Sequence, residues 1–231
     1  MRILLIHNRY QSTHIGGEDV VYENELCSLQ KTLGKDNVFS YEVSNDGLSK
    51  FKLLFGVWFS FQHYRRVKAL VLQQNINIVH VHNFYPLLTP SIFKAAKKAG
   101  SKVVHTLHNY RLWCISGILY RDAFGICEQC VNKRFPLSGV KHKCFRGSRL
   151  QSILAQLSFQ FYKTAKLFSY VDYFFVLSQF QKEKVISLGL DENKLILKPN
   201  SLQIPRIKAE ERTGYVFVGK LDESKGVLPL L

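Results

Sequence analysis

Four cysteines have the spacing of a metal site. Cys114, Cys127, Cys130 and Cys144 follow the pattern C-x12-C-x2-C-x13-C. The central Cys-x-x-Cys pair, flanked by two single thiols, can close a tetrahedral zinc site. We therefore predict a structural zinc at these four residues, with four unligated thiols as the alternative. The fifth cysteine, Cys27, falls inside a predicted helix, where we expect a small buried apolar residue.

Histidines gather near the ends of two predicted strands. His82 ends the predicted strand 76–82, and His108 directly follows the predicted strand 102–107. Ligands of open α/β sheets bind beyond the carboxyl ends of the strands, so these two side chains are predicted to face one crevice. His80 and His105 lie inside the strands, where we expect buried, hydrogen-bonded structural residues.

Two further patterns suit phosphate. Gly16-Gly17 stands between a first strand and a helix, where bare backbone amides can approach a phosphate, although a plain turn is the alternative. Near the C-terminal end, Lys220 follows a strand that closes with glycine, and Lys225 begins a helix. Two ammonium groups beside a helix N-terminus can clamp a diphosphate.

The elements that must position these residues alternate between short apolar runs and longer amphipathic stretches, which predicts a parallel sheet flanked by helices. The predicted strands are 2–7, 37–43, 76–82, 102–107, 173–177 and 194–198. The predicted helices are 19–33, 49–74, 89–99, 148–169 and 178–188.

Two regions interrupt this alternation and set the domain limits. Residues 108–147 contain the four spaced cysteines and no clear period, which indicates an insertion within a domain that spans 1–203. Residues 204–213, with Pro205 and mixed charges, are predicted to be a linker. A strand over 214–221 and the opening of a helix then predict the first βα unit of an incomplete second domain.

Composition favours a globular protein with anionic partners. Hydrophobic residues make up 46% of the 231 residues, enough for a core, and 32 basic against 17 acidic residues give a net charge of +15. No secretory signal or membrane-spanning run is visible, so we expect a cytoplasmic protein.

The segment 50–68 combines basic and aromatic residues, which suits peripheral binding at an anionic membrane, with an ordinary core helix as the alternative. No nucleic-acid-reading module is recognisable, and we predict no nucleic-acid partner.

Taken in order, the motifs resemble a known family, the retaining glycosyltransferases of family 4 with the GT-B fold. The motifs that carry the resemblance are Gly16-Gly17, the strand 78–83, Thr106-Leu107-His108-Asn109, Lys198-Pro199-Asn200, and Gly219-Lys220-Leu221 with Ser224-Lys225-Gly226. The resemblance implies two Rossmann-like domains facing a cleft, with the acceptor held by the first domain and the nucleotide sugar mostly by the second.

The resemblance also implies roles for individual residues. Gly16 and Gly17 would approach the donor phosphate, and His108 would contact the transferred sugar as the catalytic residue. Lys220 and Lys225 would neutralise the leaving diphosphate without a catalytic metal; at position 220 this chain has Lys where the family usually has Arg. The residues expected to line the acceptor cleft are His82, Asn83, Asn109 and Tyr110.

The sequence therefore predicts a glycosyltransferase that uses a nucleotide-diphosphate sugar and a glycan or lipid-linked acceptor in surface polysaccharide or glycolipid synthesis. The family's pair of donor-binding glutamates would lie beyond Leu231, so we expect this chain alone to be inactive. Two alternatives remain: a non-catalytic glycan- or lipid-binding protein of the same fold, and a zinc-stapled basic nucleic-acid binder.

Overall fold

The computed structural model describes residues 1–10, 16–47, 56–122, 124–133, 135–200, 213–219, 221 and 223–227. Its centre is a six-stranded, all-parallel sheet. In chain order the strands of this sheet are β1 (Ile3–Arg9), β2 (Val38–Ser44), β3 (Ile78–Val81), β4 (Lys102–Thr106), β7 (Tyr173–Val176) and β8 (Leu195–Leu197). They lie side by side in the order β2-β1-β3-β4-β7-β8. The predicted α/β, Rossmann-like sheet is confirmed.

Six α-helices that lie wholly within the described residues connect or flank these strands. They are α1 (Gly17–Leu33), α2 (Phe61–Gln73), α3 (Ser91–Lys98), α4 (Leu137–Lys141), α5 (Arg149–Thr164) and α6 (Gln179–Ser187). A small antiparallel pair, β5 (Tyr120–Arg121) with β6 (Gly125–Ile126), lies outside the main sheet. None of the helices in the described part of the chain is long and apolar enough to cross a membrane.

Both faces of the sheet are covered, and β1 shows how. Leu4 and Ile6 point into the main core, which also contains residues of α2, α3 and α5. Ile3 and Leu5 point the other way and pack with Tyr22 of α1. Because successive side chains of a strand alternate between faces, a run that is apolar at every position fits a strand with helices on both sides.

The strand order reverses between β1 and β3, since the chain goes outward from β1 to β2 and returns to place β3 on the other side. In doubly wound sheets a crevice forms at this reversal, beyond the carboxyl ends of the strands. The fold therefore places the residues after β1, β3 and β4 at one end of the sheet.

Three predicted elements differ from the structure. The helix predicted over 49–74 lies in part outside the described residues; Gly56 is helical, residues 57–60 interrupt the helix, and α2 begins at Phe61, where the Ser60 hydroxyl accepts a hydrogen bond from the His63 amide and caps it. The helix predicted over 148–169 ends at Thr164, because Lys166 has a left-handed backbone (φ 50°) that separates α5 from a short 3-10 helix. Over 213–219 the described residues form no strand; without a neighbouring strand to accept its hydrogen bonds, this run has nothing to pair with.

The cysteine-containing region 108–147 has more local structure than its sequence indicates, because it contains β5, β6 and α4. Almost all of the predicted linker 204–213 lies outside the described residues, as do Lys220 and the first part of the 50–68 segment. Cys27 was predicted to be buried and is exposed, since the buried face of α1 is formed by Asp19, Tyr22 and Glu25 instead.

Candidate active site at the carboxyl end of the sheet

Two histidines from neighbouring strands meet at this end of the sheet. His82 follows β3, and His108 stands two residues after β4. His82 Nδ1 lies 3.0 Å from His108 Nε2, and the two rings stack with centroids 5.2 Å apart. His82 is buried, whereas His108 is half-buried at the surface of the crevice. The parallel pairing of β3 with β4 thus brings these two predicted site residues together.

A buried glutamate of α1 lies beneath the pair. Glu25 Oε1 is 3.1 Å from Nδ1 of His80, and Glu25 Oε2 is 3.6 Å from Nε2 of His82. The same Oε2 accepts a hydrogen bond of 2.7 Å from Nζ of Lys198, which reaches over the Phe175 ring from beyond β8. One carboxylate therefore joins α1, β3 and the segment after β8.

Within the described residues, Glu25, His80 and His82 are also the one group of three or more metal-binding side chains whose ligand atoms all lie within 4.8 Å of one another. The Lys198 ammonium already supplies a positive charge to this carboxylate. We therefore describe the cluster as an ion-pair and hydrogen-bond network.

The hydrogen-bond pattern assigns the protons on these imidazoles. A carboxylate only accepts hydrogen bonds, so His80 donates from Nδ1 to Glu25, and its Nε2 accepts from the Thr106 hydroxyl at 2.7 Å. Nε2 of His82 faces the Glu25 carboxylate at 3.6 Å without a hydrogen bond; we assign the ring proton to this nitrogen because the negative carboxylate favours an N–H there, which leaves Nδ1 to accept from His108 Nε2. His108 then presents Nδ1 as an acceptor, and among the described residues this atom has no hydrogen-bond partner.

Burial keeps His82, His105 and His108 neutral. Desolvation lowers the pKa of His108 to about 3 and that of His105 to about 4, and it holds the pKa of His82 well below its usual value. Burial opposes ionisation of Glu25, but its bonds from His80 and Lys198 outweigh that cost and lower its pKa to about 2. At neutral pH His108 is therefore an uncharged imidazole supported by an ionised Glu25.

A small cavity opens beside His82 and His108. Asn83, Asn109 and Arg111 also line it, together with the loop after β3. Asn83 serves the backbone here: its Nδ2 donates to the Asn8 carbonyl at 2.9 Å, and its Oδ1 accepts from the Tyr85 amide at 3.1 Å. Tyr110, predicted to line the cleft, instead packs against the cluster formed by Cys114, Leu119 and Leu188, and it does not line this cavity.

The glycine pair lies next to the same loop. Gly16 precedes α1, Gly17 is its first residue, and Asn109 Nδ2 donates to Glu18 Oε1 at 2.9 Å. Asp19 fixes the helix start, because its Oδ2 accepts from the Gly16 amide at 2.7 Å and its Oδ1 bonds Nε2 of His7 at 2.7 Å. The Gly17 amide has no hydrogen-bond partner among the described residues, and space is open around its α-carbon.

Only one of the two lysines predicted to clamp the diphosphate lies among the described residues. Lys225 is exposed in a short 3-10 turn, Glu223–Lys225, whereas Lys220 lies outside the described residues. Among the described residues, Lys225 does not line the cavity beside His108.

The four spaced cysteines surround a second cavity, which Arg121 and His142 also line. All are free thiols, and no three of their sulfur atoms lie within 4.8 Å of one another. Burial, together with the other thiols nearby, raises the pKa of the Cys144 thiol to about 11.

Sequence reasoning missed Glu25, Lys198 as its partner, and Arg111. Glu25 follows Tyr22 by three residues, so both lie on the buried face of α1. A glutamate at such a position indicates a buried polar partner, and this signal was available in the sequence. The pairing with Lys198, 173 residues further along the chain, depends on the completed sheet.

Comparison with known proteins identifies the family. The profile of Glycosyltransferase Family 4 matches residues 32–203, which is most of the chain. The chain therefore belongs to Glycosyltransferase Family 4, as its motifs predict.

Two solved structures are similar in fold. The apo form of the lipopolysaccharide outer core galactosyltransferase WaaB is 15% identical, with a TM-score of 0.48 over 90% of this chain and 48% of its own. The UDP-GlcNAc 2-epimerase from Methanocaldococcus jannaschii is 11% identical, with a TM-score of 0.43 over 85% of this chain and 45% of its own. The chain thus spans about half the length of each. A comparison with curated protein sequences finds no match.

Proposed function

We propose that this chain forms the acceptor-side half of a glycosyltransferase active site. The enzyme would transfer a sugar from a nucleotide-diphosphate sugar to a glycan or lipid-linked acceptor in surface polysaccharide or glycolipid synthesis. The hydrogen bond from Asn109 to Glu18 carries this proposal, because it holds the loop with His108 against the glycine start of α1. A sugar-binding group and a phosphate-binding group are thereby next to each other.

His108 contacts the transferred sugar in this proposal. Its Nδ1 accepts a hydrogen bond from a sugar hydroxyl, and its low pKa keeps it an acceptor at neutral pH. Overall, the bond between the anomeric carbon and the diphosphate oxygen breaks, and a bond from that carbon to the acceptor oxygen forms. The acceptor's proton passes to the diphosphate. We propose retention of the anomeric configuration.

The negative charge that develops on the leaving diphosphate is stabilised by hydrogen-bond donors rather than by a base. Gly17 offers a backbone amide at the N-terminus of the 17-residue α1, whereas the Gly16 amide is already bonded to Asp19. Burial raises the pKa of Glu18 despite its bond from Asn109, which reduces the negative charge beside this amide. We assign Lys220 and Lys225 to the leaving diphosphate and require no catalytic metal.

In this proposal, a nucleotide-sugar-binding unit follows the sheet along the chain. We assign residues 214–231 to its first βα unit. Tyr215, Val216 and Val218 are fully or almost fully exposed, at 106%, 87% and 90%, which supports a packing partner beyond the described residues.

We also propose that the protein works at the cytosolic face of an anionic membrane. The outer face of α5 carries an apolar stripe, which we define as Leu150, Ile153, Leu157 and Phe161, all exposed. Trp58 packs edge-on against Phe161, which joins the stripe to the basic and aromatic residues at the start of α2. The stripe lies in a stretch of sequence, 129–171, that contains basic and no acidic residues, and this combination fits anionic lipid headgroups.

The test of the proposed reaction is a transfer assay with the natural protein and a panel of nucleotide-diphosphate hexoses. His108→Ala should lower kcat/KM by roughly 10-fold to 100-fold, the cost of one hydrogen bond to a polar ligand group. His63→Ala is the matched control, because His63 is half-buried on α2 and bonds Tyr41 away from the cavity.

Unchanged transfer in the His108→Ala protein would refute the role of His108. Absence of any transfer, combined with binding of acceptor glycans, would favour the non-catalytic alternative. The anomeric configuration of the product, read by NMR, and activity in the presence of a chelator test retention and independence of metal.

A further inference from the structure

The insertion between β4 and α5 brings four thiols to one place from separate parts of its chain. Cys114 follows the loop after β4, Cys127 directly follows β6, Cys130 lies in the next turn, and Cys144 follows α4. All four line one cavity. This gathering depends on backbone contacts, since the Cys127 amide donates to the Leu119 carbonyl at 2.8 Å and the Cys144 amide to the Gly139 carbonyl at 2.9 Å.

Close packing holds two of these segments together. A β-carbon on Gly139 of α4 would stand 2.9 Å from Cδ1 of the buried Ile115 and 3.5 Å from Sγ of Cys130. Only glycine lets α4 approach the 114–116 segment this closely. The approach brings the thiols of the two segments to the same cavity.

The insertion has little apolar material with which to stabilise itself. Its regular structure is two strands of two residues each and the five-residue α4. Five of its large apolar side chains are exposed: Ile118, Phe124, Ile126, Phe135 and Leu137. Small units with so few buried apolar groups usually need a disulfide or a metal. The structure contains no disulfide among these cysteines.

Charge around the cavity suits an anionic metal centre. Four thiolates and one divalent zinc carry a net charge of about −2. Arg121 and His142 line the cavity, and no acidic residue does.

We propose that Cys114, Cys127, Cys130 and Cys144 bind one structural zinc ion that staples the insertion. Zinc–sulfur bonds of about 2.3 Å require the four thiols to move closer together than they are here. The thiols lie on loops and turns, where rotation about one side-chain bond redirects each sulfur. His108 and Asn109 are the first residues of the insertion, so the metal would also stabilise the loop that carries these two residues.

The fifth cysteine provides an internal control. Cys27 is exposed on α1, outside the insertion. In the native protein we expect one thiol to react quickly with an aromatic disulfide reagent and the other four to react only after a strong chelator is added. Metal analysis of the purified protein should find about one zinc per chain, released by the chelator.

Variants then locate the ligands. Cys127→Ser and Cys130→Ser should each lose most of the zinc, whereas Cys27→Ser should keep all of it. In case the ligand variants fail to fold, cobalt added to metal-free wild-type protein gives an independent readout. Cobalt bound by four thiolates shows intense thiolate-to-metal charge transfer and tetrahedral visible bands.

Wild-type protein that takes up neither zinc nor cobalt under reducing conditions, with all five thiols reactive, would overturn the proposal. A zinc content unchanged in Cys127→Ser/Cys130→Ser would overturn it as well. Zinc binding and sugar transfer are measured in separate experiments, so a negative result for one proposal does not contradict the other.

Discussion

Glu25 shows how one buried side chain orders a site that lies on other elements. Its carboxylate contacts His80 and His82 on β3 and Lys198 beyond β8. Through His82 it fixes which nitrogen of His108 bears the proton. Glu25 is therefore a positioning residue: it does not reach the crevice, but it determines that His108 offers an acceptor there.

Replacement of Glu25 tests this network. Glu25→Gln removes the ionic partner of Lys198, and we expect the free energy of unfolding to fall by about 2 kcal/mol, measured by urea denaturation. Glu23→Gln is the control on the same helix, because Glu23 is half-exposed in a surface ion pair with Arg9, where such pairs contribute about 0–1 kcal/mol. Equal losses in the two variants would contradict the central place of Glu25.

The buried histidines predict a gradual loss of stability in acid. The pKa values of His105 and His108 in the folded protein are lowered to about 4 and about 3 from the usual 6.5. The unfolded chain therefore binds protons first, so stability that is complete above pH 6.5 is lost as the pH falls towards 4 and 3. The slope is at most about 1.4 kcal/mol per pH unit for each group.

Glu25 adds a second, more acidic step. Its pKa is lowered from 4.5 to about 2, so its contribution is present above pH 4.5 and is lost as the pH falls through 2. In urea denaturation across this range, the loss of stability below pH 4.5 should be smaller in Glu25→Gln than in the wild type; the histidines and Asp172, whose pKa is also lowered, contribute in both proteins. Constant stability from pH 6.5 to 4.5 would contradict the buried, neutral state of the histidines.

At the scale of single residues the sequence predicts the positions of candidates better than their contacts. His82 and His108 are predictable because strand ends in a parallel sheet meet at one edge. The contacts of Asn83 and the position of Tyr110 outside the crevice depend on how the loops fold back onto the sheet. The Asn83 bond to Asn8, for example, joins residues 75 positions apart. No local pattern contains that information.

At the scale of elements, the sheet and most helices were predictable because each strand is a short apolar run bounded by turn residues. The errors fall where tertiary contacts decide. The sequence pattern does not show the interruption at 57–60, and α2 begins at Phe61 because Ser60 caps it and the Ser60 amide donates to Thr89 on another segment. The described residues after 213 form no strand because a strand needs a neighbour.

The start of α1 provides a test at this scale. Gly17 has no atom within 4 Å of the position of a β-carbon, and its φ is not positive, so Gly17→Ala should leave the fold and stability unchanged. The added methyl group would stand where a phosphate approaches the amide, so KM for the nucleotide sugar should rise by roughly 10-fold. Gly56→Ala, at another open glycine, is the control. An unchanged KM would remove α1 from the donor site.

At the scale of the whole molecule, charge is strongly segregated along the chain. No acidic residue occurs from 47 to 121 or from 129 to 171, so Asp122 and Glu128 are the only acids in this long central part. Acidic residues are concentrated in 18–46, which includes α1 and β2. The apolar stripe on α5 lies within the basic part of the chain. An anionic surface is therefore expected to attract the central part of the chain more strongly than residues 18–46.

Membrane binding is tested by a matched pair of substitutions. Leu150 and Phe180 are each the second residue of a helix capped by serine, and they are 79% and 72% exposed. A glutamate at either position suits the helix N-terminus, so Leu150→Glu and Phe180→Glu should both fold. Only Leu150 belongs to the apolar stripe.

In flotation with phosphatidylglycerol vesicles we expect Leu150→Glu to weaken binding by about 10-fold or more and Phe180→Glu to leave it unchanged. Neutral phosphatidylcholine vesicles should not carry the wild type upward, and added salt should release it from the anionic ones. If the wild type stays at the bottom with both lipids, or if the two substitutions weaken binding equally, α5 is not the docking surface.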